Sequence, residues 1–106
     1  MSNEAILDIR VYKLKAGANA GFAERFYERI GPMLKQNGIN VVRFGQSLID
    51  ADSFCLVRAF RSVEERERQL ADFYGSEEWL EQHDEAVMGM IESYNVCLVV
   101  NDRAPF

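Results

Sequence analysis

The sequence predicts an α+β fold of the ferredoxin-like kind, β-α-β-β-α-β, with an antiparallel four-stranded sheet and its helices on one face. Three observations predict it. Four short stretches alternate apolar and polar residues or are rich in β-branched ones. Stretches of helical period separate the first strand from the second and the third from the fourth. Only four residues, Asp50-Ala51-Asp52-Ser53, separate the second and third strands, which makes them a hairpin rather than a crossover.

The first strand is ILDIRVYKL, residues 6–14, with Leu7, Ile9 and Val11 on one side and Asp8, Arg10 and Tyr12 on the other. Lys15-Ala16-Gly17 ends it. Asn19 is placed to cap a helix over 20–37, where Phe22, Phe26, Ile30 and Leu34 recur every fourth residue. Pro32 within that pattern predicts a kink or break near Gly31-Pro32, and Asn37-Gly38 a stop. VVRFGQSLI, residues 41–49, is the second strand, with Gly45 the candidate bulge; FCLVRAFR, 54–61, is the third. Ser62-x-x-Glu65 matches a capping box and opens a helix that Gly75 ends. Ser76, followed by Glu77 and Glu78, caps one further helix through Ile91. SYNVCLVV, 93–100, is the last strand, and the tail NDRAPF is frayed or forms an arm onto a partner.

Composition narrows the class. A chain of 106 residues fits one domain, 48% hydrophobic and 27% charged, with a net charge of −5 and no basic cluster. Nucleic acid and anionic membrane surfaces are therefore not expected partners. No apolar run approaches the roughly 20 residues that span a bilayer, and the acidic start does not resemble a signal peptide. Cys55 and Cys97, without Cys-x-x-Cys spacing, read as reduced, buried thiols of a cytoplasmic protein. There is no phosphate loop and no Gly-x-Ser-x-Gly element, and one histidine builds no multi-histidine metal site.

Sorted by alternation, Leu7, Ile9, Val11, Val42, Phe44, Val57, Val96 and Leu98 share one sheet face. Asp8, Arg10, Tyr12, Arg43, Phe54, Arg58 and Cys97 share the other. Helices of one chain cover only one of them; which one, the pattern leaves open. The uncovered face is too apolar for water and is expected to pack on a second copy, closing a barrel at a two-fold axis.

Candidate functional residues fall into three groups. His83, the only histidine, sits one helical turn from Trp79, the only tryptophan, on an otherwise apolar face. It reads either as an acid, base or iron ligand in a pocket between helix and sheet, or as a core-edge side chain satisfied by a backbone carbonyl. Asp8, Arg10 and Tyr12, with Arg58 opposite, read either as a ligand-binding wall in which a guanidinium holds a carboxylate or enolate, or as an ion pair that fixes register. Phe73, Tyr74 and Trp79 read as core or as a surface for a flat ligand.

The stretch 54–79, FCLVRAFRSVEERERQLADFYGSEEW, together with ILDIRVYKLKAG, resembles the NIPSNAP family over roughly residues 5–100. That resemblance implies a dimeric α/β barrel. More distantly the chain is similar to the antibiotic-biosynthesis monooxygenases. It implies a homodimer binding a small, partly aromatic or apolar ligand, with His83, Arg10 and Tyr12 as catalytic candidates for cofactor-independent monooxygenase or isomerase chemistry. Asp8, Arg58, Phe73 and Trp79 would bind the ligand. Heme-degrading barrels place their axial histidine in a stretch resembling SEEWLEQH, which makes heme binding through His83 an alternative. Their strand-one asparagine has no counterpart beside Asp8 and Arg10, and Phe73 stands where they carry tryptophan. A third reading is a non-catalytic assembly protein.

Overall fold

The computed structural model describes residues 4–101; the expected arm at 102–106 lies outside them. Nine-residue β1 (Ile6–Leu14) leads through a turn at Gly17, φ +84°, into a helix that runs from Asn19 to Gln36. That helix comprises α1 (Asn19–Arg25), a π-helical turn (Phe26–Ile30) and α2 (Gly31–Gln36). Then come β2 (Asn40–Gln46), β3 (Ser53–Phe60), α3 (Val63–Tyr74), α4 (Glu77–Gln82), α5 (Asp84–Met90) and β4 (Ile91–Val100). The sheet order is β2-β3-β1-β4, and all three pairings are antiparallel, as the ferredoxin-like reading requires.

Local chemistry accounts for the departures from expectation. Asn19 does not cap; Ala18 takes that place, and Asn19 Nδ2 donates to the Ala51 carbonyl. Pro32 does not break the first helix. It offers no N–H to the carbonyl four residues back, and the chain accommodates it by widening one turn. The Gly31 N–H accordingly reaches the Phe26 carbonyl, five residues earlier. Gly31 also lets the Phe26 ring lie close, since a Cβ there would stand 3.3 Å from its edge. The freed ring stacks on Phe44 with centroids 3.7 Å apart.

Ser62 and Ser76 cap as expected, accepting from the Glu65 and Trp79 N–H groups at 3.0 and 3.2 Å. Between α3 and α4 the chain turns so tightly that a Cβ on Gly75 would lie 2.8 Å from the Ala71 carbonyl oxygen. Gly75→Ala is therefore expected to cost about 1–3 kcal/mol, measurable as a lower urea midpoint with an unchanged slope.

The helices cover the mixed face. Asp8 pairs with Arg58, Arg10 with Leu56 and Tyr12 with Phe54, all on the covered side. Three assignments made from alternation are corrected. The β2 bulge lies between Val41 and Arg43, not at Gly45, so Phe44 joins the covered face and Arg43 the open one. In β4, Asp8 pairs with Leu98 and Arg10 with Val96, so these two lie on the covered side. Asn95, Cys97 and Val99 oppose Val11, Ile9 and Leu7 on the open side. β4 starts at Ile91, with a register shift at Lys13/Leu14. Alternation along β4 alone does not say which of its two sets pairs beside Asp8, and only the cross-strand register decides it.

The core lies between the helices and the covered face, where Leu34, Phe60 and Phe73 are among the most deeply buried side chains. No helix among the described residues is long and apolar enough to cross a membrane.

Candidate functional site

Beneath the helices, one carboxylate holds three guanidiniums. Asp8 is fully buried, and its Oδ2 accepts from Arg66 Nε at 2.7 Å. Its Oδ1 accepts from Arg10 Nε at 3.3 Å and lies 3.6 Å from Arg58 Nη2. Arg58, also fully buried, donates through Nη1 to Tyr74 Oη at 3.0 Å, while its Nε and Nη2 have no hydrogen-bond acceptor among the described residues. Both readings of this cluster are met in part. Asp8 and Arg58 form a cross-strand pair, and the cluster carries positive charge beyond what Asp8 neutralises.

That surplus sits at the wall of a cavity of about 310 Å3 between α4–α5 and the β1/β4 side of the sheet. Its polar lining comes from Arg10, Tyr12, Tyr74, Tyr94, Asp84 and the Trp79 indole. The volume falls at the small end of the roughly 300–1,000 Å3 of small-molecule sites. The Arg10 guanidinium lies 5.9 and 5.8 Å from the Tyr74 and Tyr94 ring centres. Burial, with the Tyr74 phenol beside it, pushes the Tyr12 hydroxyl up to about 12 against the opposing pull of Arg10. Tyr12 thus stays a protonated donor across the neutral range. Trp79 Nε1 donates to Asp84 Oδ1 at 3.0 Å, and its ring meets Tyr74 edge-on at 4.9 Å.

Of the residues singled out from the sequence, Arg10, Tyr12 and Trp79 line this cavity. Asp8 and Arg58 support it from below, and Phe73, buried, packs behind Tyr74 and Trp79. His83 lies elsewhere. The expected single helix over 76–91 breaks at His83, φ −128°, which turns its ring away from the cavity. Arg25 of α1 closes the break: its Nη1 donates to the Gln82 carbonyl at 3.1 Å and lies 3.0 Å from His83 Nδ1. Arg29 adds a bond to Gln82 Oε1 at 2.8 Å. Sequence reading missed Asp84 and Tyr94, because the break resets the helical phase and β4 was read with the wrong parity.

A guanidinium can only donate, so His83 Nδ1 accepts and the neutral ring carries its proton on Nε2. Nε2 is buried and has no partner among the described residues. Burial first, then the charges of Arg25 and Arg29, hold the imidazole pKa below its ordinary value, with Glu78 opposing. Because the unfolded chain takes up this proton at higher pH, folding stability falls as pH drops through about 6.5. NMR titration of the single imidazole is expected to give a pKa below 6.5, and His83→Gln to remove that part of the pH dependence of stability.

This arrangement does not fit heme iron. An axial histidine offers a ring lone pair, and here Nδ1 is engaged by Arg25 while Nε2 carries hydrogen. No group of three or more His, Cys, Asp or Glu side chains able to hold a metal ion occurs among the described residues.

The NIPSNAP family model matches residues 7–100. The chain belongs to the NIPSNAP family. Solved NIPSNAP structures share its fold. A NIPSNAP family protein of unknown function from Agrobacterium tumefaciens superposes with TM-score 0.83 at 21% identity, covering 99% of this chain and 96% of that one. A NIPSNAP-like domain protein from Burkholderia xenovorans gives 0.82 at 15% identity over 92% and 85%. More distantly, a putative antibiotic biosynthesis monooxygenase from Nitrosomonas europaea gives 0.62 at 17% identity over 89% and 95%. No curated protein matches the sequence. At these identities the likeness of this NIPSNAP chain to the solved structures is one of fold.

Proposed function

We propose that this NIPSNAP protein is a homodimer that binds a small, partly aromatic ligand in the cavity between α4–α5 and the sheet, and that Arg10 and Tyr12 stabilise negative charge on a ligand oxygen. One observation carries this reading: an aromatic-walled cavity of about 310 Å3 has at its edge a guanidinium whose carboxylate partner, Asp8, is shared with two others. Charge developing on a ligand oxygen meets donors already in place, the arrangement that cofactor-independent isomerases and monooxygenases need. Val87, Met88 and Ile91 add apolar wall for the body of the ligand.

Trp79 is the only tryptophan and lines the cavity, so its emission reports occupancy directly. Titration with 4-methylphenol is expected to change that emission saturably. Tyr94→Ala, at a half-exposed position, removes one ring of the wall and is expected to weaken binding by about 2–10-fold. A linear, unsaturable response would sink the ligand-binding reading and favour a non-catalytic assembly role.

A further inference from the structure

We propose that the cavity selects aromatic α-keto acids and that Asp84 is the base that moves a proton on the carbon next to the ketone. This rests on the ligand-binding reading above and gives it a substrate class and a catalytic residue.

Two opposite charges line the cavity without being paired to each other. Arg10 engages Asp8 through Nε and is hydrogen-bonded to the Tyr12 side chain, and its remaining N–H groups face the cavity beside the Tyr12 hydroxyl. An α-keto acid presents a carboxylate oxygen and a ketone oxygen in one plane, which suits a guanidinium fork. Asp8 is shared with Arg58 and Arg66, so it neutralises Arg10 only in part and an incoming anion is favoured. The rings of Tyr74, Trp79 and Tyr94 provide faces for an aromatic body.

Asp84 supplies the other pole. Trp79 Nε1–H fixes its Oδ1, so the carboxylate is held in place against the cavity. His83, the base suggested by sequence alone, is turned toward Arg25 and does not reach this space.

The step balances without an oxidant or reductant. Asp84 removes a proton from the benzylic carbon; the C–H electron pair forms the C=C bond, and the ketone π pair moves onto oxygen. Arg10 and the Tyr12 hydroxyl stabilise the resulting enolate. Proton return to carbon from Asp84 regenerates the keto acid, and proton uptake on oxygen gives the enol.

The test separates binding from proton transfer. Phenylacetate, which has the charge and ring but no ketone, is titrated against Trp79 emission beside neutral 2-phenylethanol. Phenylpyruvate in D2O is followed by proton NMR for loss of its benzylic C–H signal. Phenylacetate is expected to bind at least about 10-fold more tightly than the alcohol, and Arg10→Gln to erase most of that difference. The wild-type protein is expected to accelerate exchange, and Asp84→Asn to slow the protein-dependent rate about 100-fold or more. Asp84→Asn retains an amide oxygen for Trp79, so its thermal melt is expected to hold and its phenylacetate affinity to be no weaker than that of the wild type, which reports that it has folded. Phenylacetate binding with exchange at the protein-free rate, or exchange undiminished in Asp84→Asn, overturns the role of Asp84 and leaves the ligand-binding reading standing. Failure of both phenylacetate and 2-phenylethanol to bind overturns both.

Discussion

Asp8→Ala is expected to lose about 3–5 kcal/mol of stability, the usual cost of stripping the partner from a buried charge. It would leave Arg58 fully buried with no carboxylate, and Arg10 and Arg66 facing it. For a domain of this size such a loss approaches the whole margin of folding. Arg66→Met is expected to cost much less, since Asp8 keeps Arg10 and Arg58 and the Arg66 side chain is already partly exposed. Urea unfolding of the two variants side by side checks the asymmetry. Equal losses would mean that Asp8 is not the hub of the cluster.

The second large effect concerns the open sheet face. Leu7, Ile9, Val11, Cys55, Val57 and Val99 present side chains there that the chain's own helices do not cover. β4 adds to this, since Tyr94, Val96 and Leu98 are 39–47% exposed on its other side as well. A surface this apolar is one that monomers avoid. If it is the dimer interface, Val57→Lys, at the centre of the face, is expected to convert a dimer to a monomer at micromolar concentration. Light scattering reads this directly. Cys55 and Cys97 lie on the same face, so their thiols should react slowly with Ellman's reagent in the wild type and faster in Val57→Lys. A wild-type monomer with freely reacting Cys97 would dispose of the barrel assembly.

Most of the fold was legible because the signals were local. Alternation in residues 6–14, the serine caps at 62 and 76 and the four-residue hairpin connection each act within a few residues. Topology followed from them. The site was legible only where strand parity was right, as at Asp8, Arg10, Tyr12 and Arg58. It was lost wherever one residue altered a phase. The bulge at Val41/Arg43 moved Phe44 to the core, and the β1/β4 register, which alternation does not set, put Tyr94 beside Tyr12 at the cavity. The break at His83 put Asp84, and not His83, on the cavity wall. At that break Arg25, 58 residues away in the chain, meets His83, and no local pattern announces a partner so distant.

The Arg25 bridge has a consequence for folding kinetics. The wall formed by α4 and α5 gains its capped carbonyl at Gln82 only when α1 has docked, across a separation of 57 residues. Contacts of such long loop closure form late, after hairpins and helices have condensed. Arg25→Ala should therefore leave the refolding arm of a chevron plot nearly in place and steepen the loss of the native state by raising the unfolding rate. The α4–α5 wall of the cavity would then assemble late and open early, and an occupant of the cavity would act chiefly as a brake on unfolding.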